Sequence, residues 1–251
     1  MPRPTLTREQ IVRTAVELLD ADGLEGLNMR SLGQRLNSAA TAVYWHVKNK
    51  DNLVTLAGDQ VWDEIRLPDL DAVDWRTAAV TMAEDLYAMF TRHPWLVQAF
   101  ATHLFHGEGK ARHDDHTLAV YEAAGFAGPA ADRAAAAVFT YVLGNASAAA
   151  ATTSLTRRIE REGGDAEEAF AATMKEAVEI AGRFPRLRSR IEAMEAAETD
   201  GTAGTDGTAG TAGTSGYADA PDDTFAYGLH ALLDGLEARL KADTPKNADT
   251  P

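Results

Sequence analysis

Three consecutive side chains able to stack, donate and accept hydrogen bonds stand at Tyr44-Trp45-His46, and two cations follow at Lys48 and Lys50. Adjacent residues on a helix lie about 100° apart, so three such rings cannot all point into one core. Rings and ammonium groups left on a surface suit contact with sugar-phosphate and base edges. The element that must carry them is short. Asn28 can cap a helix whose Met29, Leu32 and Leu36 recur at helical spacing, and Arg30 and Arg35 remain outward. Asn37-Ser38 forms the turn, because asparagine tolerates left-handed backbone, and Ala39–Val47 is the second helix, with Thr41 on it. Two short helices about a tight turn are the layout of a helix-turn-helix, with Ala39–Val47 as the reading helix.

The rest of the head follows from the same rules. Thr7 and Gln10 make a capping box for a first helix with Ile11, Val12, Ala15, Val16, Leu18 and Leu19 inward, stopped at Gly23. Asn49 caps a fourth helix reaching about Ile65, with Leu53, Ala57, Val61 and Trp62 on one stripe, and Leu67-Pro68 closes it. The expected boundaries are therefore a DNA-binding domain at 1–66 and a larger domain at 67–251.

The segment Val43–Leu53, preceded by Leu27-Asn-Met-Arg-Ser-Leu-Gly33, resembles the DNA-binding domain of the TetR family, its tetracycline-repressor branch in particular. His93-Pro-Trp95 and the terminal stretch from Phe225 to Leu240 are similar to that branch's regulatory domain. The resemblance implies a three-helix head on an all-helical body that dimerises and binds a small molecule, with DNA released on binding. It also implies that Tyr44, His46 and Lys50 lie against the DNA backbone while Arg30, Ala40 and Thr41 approach bases; Trp45 and Lys48 complete the expected contact set. Asn37-Ser38 stands where the family usually has Gly-Val, and Ala39-Ala40 where it often has a polar cap and a long reader. The operator should differ accordingly, since alanine offers only apolar contact.

Composition bounds the alternatives. The 251 residues carry a net charge of −14, yet residues 1–50 sum to +2 and the remainder to −16, so acid sits away from the proposed head. There are no cysteines, which excludes disulfides and thiolate metal sites. No signal-peptide pattern or obvious membrane run stands out, so the expectation is a cytoplasmic protein with no membrane partner. His-Glu-x-x-His, P-loop, Gly-x-Ser-x-Gly and dinucleotide fingerprints are absent, so no enzyme and no cofactor are expected.

Beyond the head every periodic segment reads as helix: 75–93, 94–104, 115–124, 130–161, 166–184 and 223–241, giving an all-α protein. The last should present Phe225, Leu229, Leu232, Leu236 and Leu240 on one face and pack with the small residues of 134–153 as a homodimer interface. Residues 199–216 are Thr, Ala, Gly, Asp and Ser alone and read as a flexible loop. For a planar or polycyclic effector the expected pocket residues are His93, Trp95, Gln98, His103, Tyr121, Phe139, Tyr141 and Asn145, which mix aromatic surface with single polar groups. The histidines 103, 106, 113 and 116 form two His-x-x-His pairs without a third ligand at motif spacing, so no metal site is assigned; a helical His-metal protein or enzyme is the rival class. Within the regulator class the alternatives are an activator or a ligand-independent regulator.

Overall fold

Capping and periodicity account for most of the element boundaries. The computed structural model describes residues 6–199 and 221–243, and these form an all-helical chain without strands among the described residues. In the head, α1 (Arg8–Gly26) starts on the Thr7/Gln10 capping box, and Gly23 leaves helical geometry at φ 69°. α2 (Met29–Arg35) is capped by Asn28, α3 (Ala40–Val47) follows, and α4 (Lys50–Val61) is capped by Asn49 and ends in a 3-10 turn over Trp62–Glu64. The body adds α5 (Trp75–Arg92), α6 (Pro94–Ala99), α7 (Glu108–Ala123), α8 (Pro129–Arg161), α9 (Ala166–Ala181), α10 (Pro185–Thr199) and α11 (Pro221–Asp243).

Contacts divide the chain into two compact units: one runs to Ser154 and resumes at Leu229, and the other is Leu155–Gly228. Residue 66 falls inside the first unit, where α1 and α4 of the head pack against α6 and α7 of the body. Buried Ile11, Ala15, Leu18 and Leu19 of α1 meet the Leu53, Val54 and Ala57 helix, and burial of each leucine, isoleucine or valine contributes roughly 1.5–3 kcal/mol. In the second unit α9 carries no buried residue, and its cap is Asp165, whose carboxylate accepts the Glu168 N–H.

Three expectations shift. α7 begins at Glu108 instead of near 115, and α10 occupies residues 185–199, most of which the periodicity of the sequence assigns to no element. On α11 the buried line is Phe225, Leu229 and Leu233; Leu232, Leu236 and Leu240 are half-buried, one step round the helix. That step leaves Leu232 and Leu236 accessible to a partner. α8, 33 residues long, is apolar enough by length and composition to cross a bilayer, yet only 28% of its most apolar window is buried. Its apolarity is largely alanine, and the uncovered part suits close helix packing. The proposed 199–216 loop lies outside the described residues apart from Thr199, which ends α10.

Candidate functional site

The reading helix is held from below and bare above. Asn28 Oδ1 accepts the Ser31 N–H at 2.9 Å to start α2, and Asn37 supplies the turn with φ 48°. Val43 and Val47 are fully buried, so α3 is anchored on a narrow apolar edge. The opposite side carries Trp45, 90% exposed, and Tyr44, 48% exposed, with Thr41 and His46 also in solvent. Arg30 and Lys48 are exposed; Lys48 caps α3 in left-handed geometry, φ 60°. Ala40 begins α3, but its side chain lies outside the described residues. Lys50 donates to the Leu24 carbonyl at 2.6 Å, so a phosphate contact from it must exchange with that tie. Sequence reasoning did not single out Arg13, which shares an open cleft beside α3 with Gln10, Arg35 and His46.

Inside the body, α5, α7 and α8 form a partly open cavity of about 30 Å³ lined by Ala79, Met82, Ala83, Leu86, His113, Thr117, Val120, Tyr121, Ala135, Val138 and Phe139. That volume holds one or two waters, far less than a drug-sized ligand needs. The lining is aromatic and aliphatic with a few polar edges. Burial pushes the Tyr121 phenol up, and His113 is buried against Trp62 with ring centroids 4.8 Å apart.

Only two of the eight expected pocket residues, Tyr121 and Phe139, line this cavity. His93 and Trp95 sit where the head meets the body: His93 Nδ1 lies 2.6 Å from Asp20 of α1, its Nε2 3.0 Å from Glu64, and the Trp95 indole donates to Asp20 at 2.7 Å. Arg92 adds an ion pair to Glu64. Gln98 bonds Ser154, and His103 faces Asp51 of α4 at 3.6 Å. Asn145 donates to the Tyr141 carbonyl at 2.8 Å within α8, and neither residue lines the cavity. An alternation of rings and polar groups along the chain could not say which partner each would meet.

The four histidines disperse. His106 bonds the Leu104 carbonyl at 3.1 Å and His116 the Pro68 carbonyl at 2.9 Å. Among the described residues no three His, Asp or Glu side chains converge as metal ligands. What their segment builds is a joint with α4. Phe105 lies on Gly58, where a Cβ would collide with its ring. Gly109 abuts the Asp59 carbonyl so closely that any side chain would meet it, and the Asp59 carboxylate accepts the Lys110 N–H at 3.0 Å. The end of α4 thus caps the start of α7.

Trp62, immediately after α4, closes this joint. It lies 6.4 Å from Phe90 edge-on and 6.4 Å from Phe139 in a stacked pose, and Phe139 touches Phe100 at 5.7 Å. One aromatic cluster therefore joins the cavity wall to the foot of α4. Trp62 was legible as a buried-stripe residue, but nothing local marked its neighbours.

Comparison with known proteins bears on both ends of the chain. The family model described as tetracyclin repressor-like, C-terminal domain, matches residues 67–204. The transcriptional repressor DrrR1 of Streptomyces coeruleorubidus is 30% identical over 241 residues, covering 94% of this chain and 79% of the relative. An HTH-type transcriptional regulator of Saccharopolyspora erythraea is 39% identical over 146 residues, which span 58% of this chain and 62% of that protein. Among solved structures, ActR of Streptomyces coelicolor in complex with actinorhodin shares the fold at TM-score 0.67 with 24% identity, covering 94% of this chain and 98% of that one.

Proposed function

This chain belongs to the tetracycline-repressor family of ligand-responsive transcriptional repressors, and from that premise we propose that it holds a near-palindromic operator as a homodimer and lets go when a planar molecule wedges open the α5–α7–α8 cavity. The observation that carries this is the continuity of one aromatic cluster from Phe139 in the cavity wall to Trp62 at the foot of α4. A free volume of about 30 Å³ has no room for a planar ligand of several rings unless those walls part. Parting them moves Trp62, and α4 carries the motion toward α3.

The head supplies the other half. Tyr44, Trp45, His46 and Lys48 contact the sugar-phosphate backbone, while Arg30 and Thr41 reach base edges. Two copies set their α3 helices in successive major grooves about 34–36 Å apart or somewhat more. The half-buried Leu232 and Leu236 of α11 and the uncovered alanines of α8 support the dimer face. The mechanism is linkage: an effector shifts the equilibrium by its differential affinity for the two states, typically 1–3 kcal/mol of coupling, and operator weakens effector equally.

The test pairs two measurements on one variant. Phe139→Ala should leave affinity for an operator selected from random duplexes within about twofold while blunting release by whichever compound frees the wild type. Normal release by Phe139→Ala, or no release of wild type across a broad small-molecule panel, contradicts the ligand-gated half.

A further inference from the structure

Next to the cavity wall formed by Phe139 and His113 lie a cation held by one exchangeable carboxylate and a hydrogen-bond donor without a partner. Lys110, in the first turn of α7, has a side chain only 21% exposed, with Nζ 5.3 Å from the Trp62 ring centroid and 5.9 Å from that of Phe139. Trp62 is 2% exposed, and its Nε1 has no hydrogen-bond partner. A buried N–H without a partner has given up its hydrogen bond to water, and an incoming acceptor restores one. The cation is currently paired with Asp114 at 2.5 Å, and that carboxylate is half-exposed. It can turn to water at little loss.

We propose that the effector of this cavity is a planar aromatic acid, its rings against Phe139 and Tyr121 and its acidic oxygen held by Lys110 Nζ and the Trp62 Nε1–H, displacing Asp114. This rests on the ligand-gated reading of the same cavity. Rings provide area between α5, α7 and α8, and burial of the acid without a cation would be prohibitive. The other charged groups nearby are committed: Asp59 accepts the Lys110 backbone N–H, and Asp63 pairs with Arg112. His113, against Trp62 on the cavity side, is a further group able to donate to the oxygen.

The test uses calorimetry on the full chain with naphthalene-2-carboxylate and anthracene-2-carboxylate, each against its neutral carboxamide. The expected result is at least a tenfold preference for acid over amide for one of the ring sizes. Lys110→Met should reduce that preference below threefold without weakening amide binding, and Lys110→Arg should restore it. Trp62→Phe, which keeps a ring and removes the donor, should lower acid affinity about threefold to tenfold. Equal binding of acid and amide, a preference that survives Lys110→Met, or no binding of either acid overturns the proposal. Operator release separates this from the reading beneath it. Release by neutral polycycles alone overturns the acid class and leaves ligand gating intact; Lys110-dependent acid binding without release upholds the acid class and refutes gating.

Discussion

The two ends of α4 are built for opposite purposes. Its start lies beside the reading helix, where Lys48, Asn49 and Lys50 are exposed and Trp45 projects almost wholly into solvent. Its end is enclosed: Val54, Ala57, Val61 and Trp62 are buried, Gly58 receives Phe105, and Asp59 caps α7. A helix of 12 residues spans about 18 Å, short enough to behave as one stiff lever. That difference is what the proposed coupling of effector to DNA requires: side chains at the free end are open to a partner, whereas those at the packed end respond only when their neighbours move.

The largest expected effect concerns the assembly that gives the free end its meaning. Leu232→Glu places a charge on the half-buried line of α11 and should convert dimers to monomers by sedimentation, with operator affinity reduced by a hundredfold or more. A variant that remains dimeric moves the interface elsewhere. At the packed end, Gly109→Leu forces a side chain onto the Asp59 carbonyl and should cost about 3 kcal/mol in urea unfolding. Unchanged stability would mean that α4 and α7 are not tightly joined.

At the free end the signature reverses. Trp45→Ala should reduce operator affinity by about tenfold while changing stability by less than roughly 0.5 kcal/mol, because a side chain 90% exposed contributes little to the core. The smallest effect is electrostatic. The Arg66 side chain, through bonds of 2.7 and 2.8 Å, and the Arg66 backbone N–H hold the Asp85 carboxyl below its ordinary range. A depressed carboxylate stabilises the fold above the unfolded-state value, and the contribution disappears as pH falls through the folded one. Arg66 is largely exposed, so Asp85→Asn should cost only about 1 kcal/mol at pH 7. The difference from wild type should vanish at strongly acid pH; an equal difference at all pH values would assign the cost to packing instead.

How much was legible follows the same division. Thr7, Asn28, Asn37 and Asn49 act on backbone groups within three residues or on their own φ, so the head could be read from neighbours in the chain. The start of α7 could not, because its cap is Asp59, 51 positions away from Lys110, and Gly107-Glu-Gly looks like a loop without it. α10 has charges such as Arg186, Arg188, Arg190 and Glu192 on exposed positions and little amphipathic signal to reveal it. On α11 the spacing of Leu232, Leu236 and Leu240 competes with that of Phe225, Leu229 and Leu233, and burial in the fold selects the second. The family's local motif identified the reading helix, but His93 and Trp95 revealed their place only once Asp20 and Glu64 were beside them.

Release of DNA by expansion of the cavity can be tested without knowing the effector. Ala83→Phe adds a ring to a wall whose free volume is about 30 Å³ and so imitates an occupied state. Fluorescence anisotropy with a labelled operator duplex, on protein verified as dimeric and helical, should show affinity lowered by at least tenfold with no ligand present. A folded, dimeric Ala83→Phe variant that binds operator as tightly as wild type would contradict the coupling of cavity to reading helix.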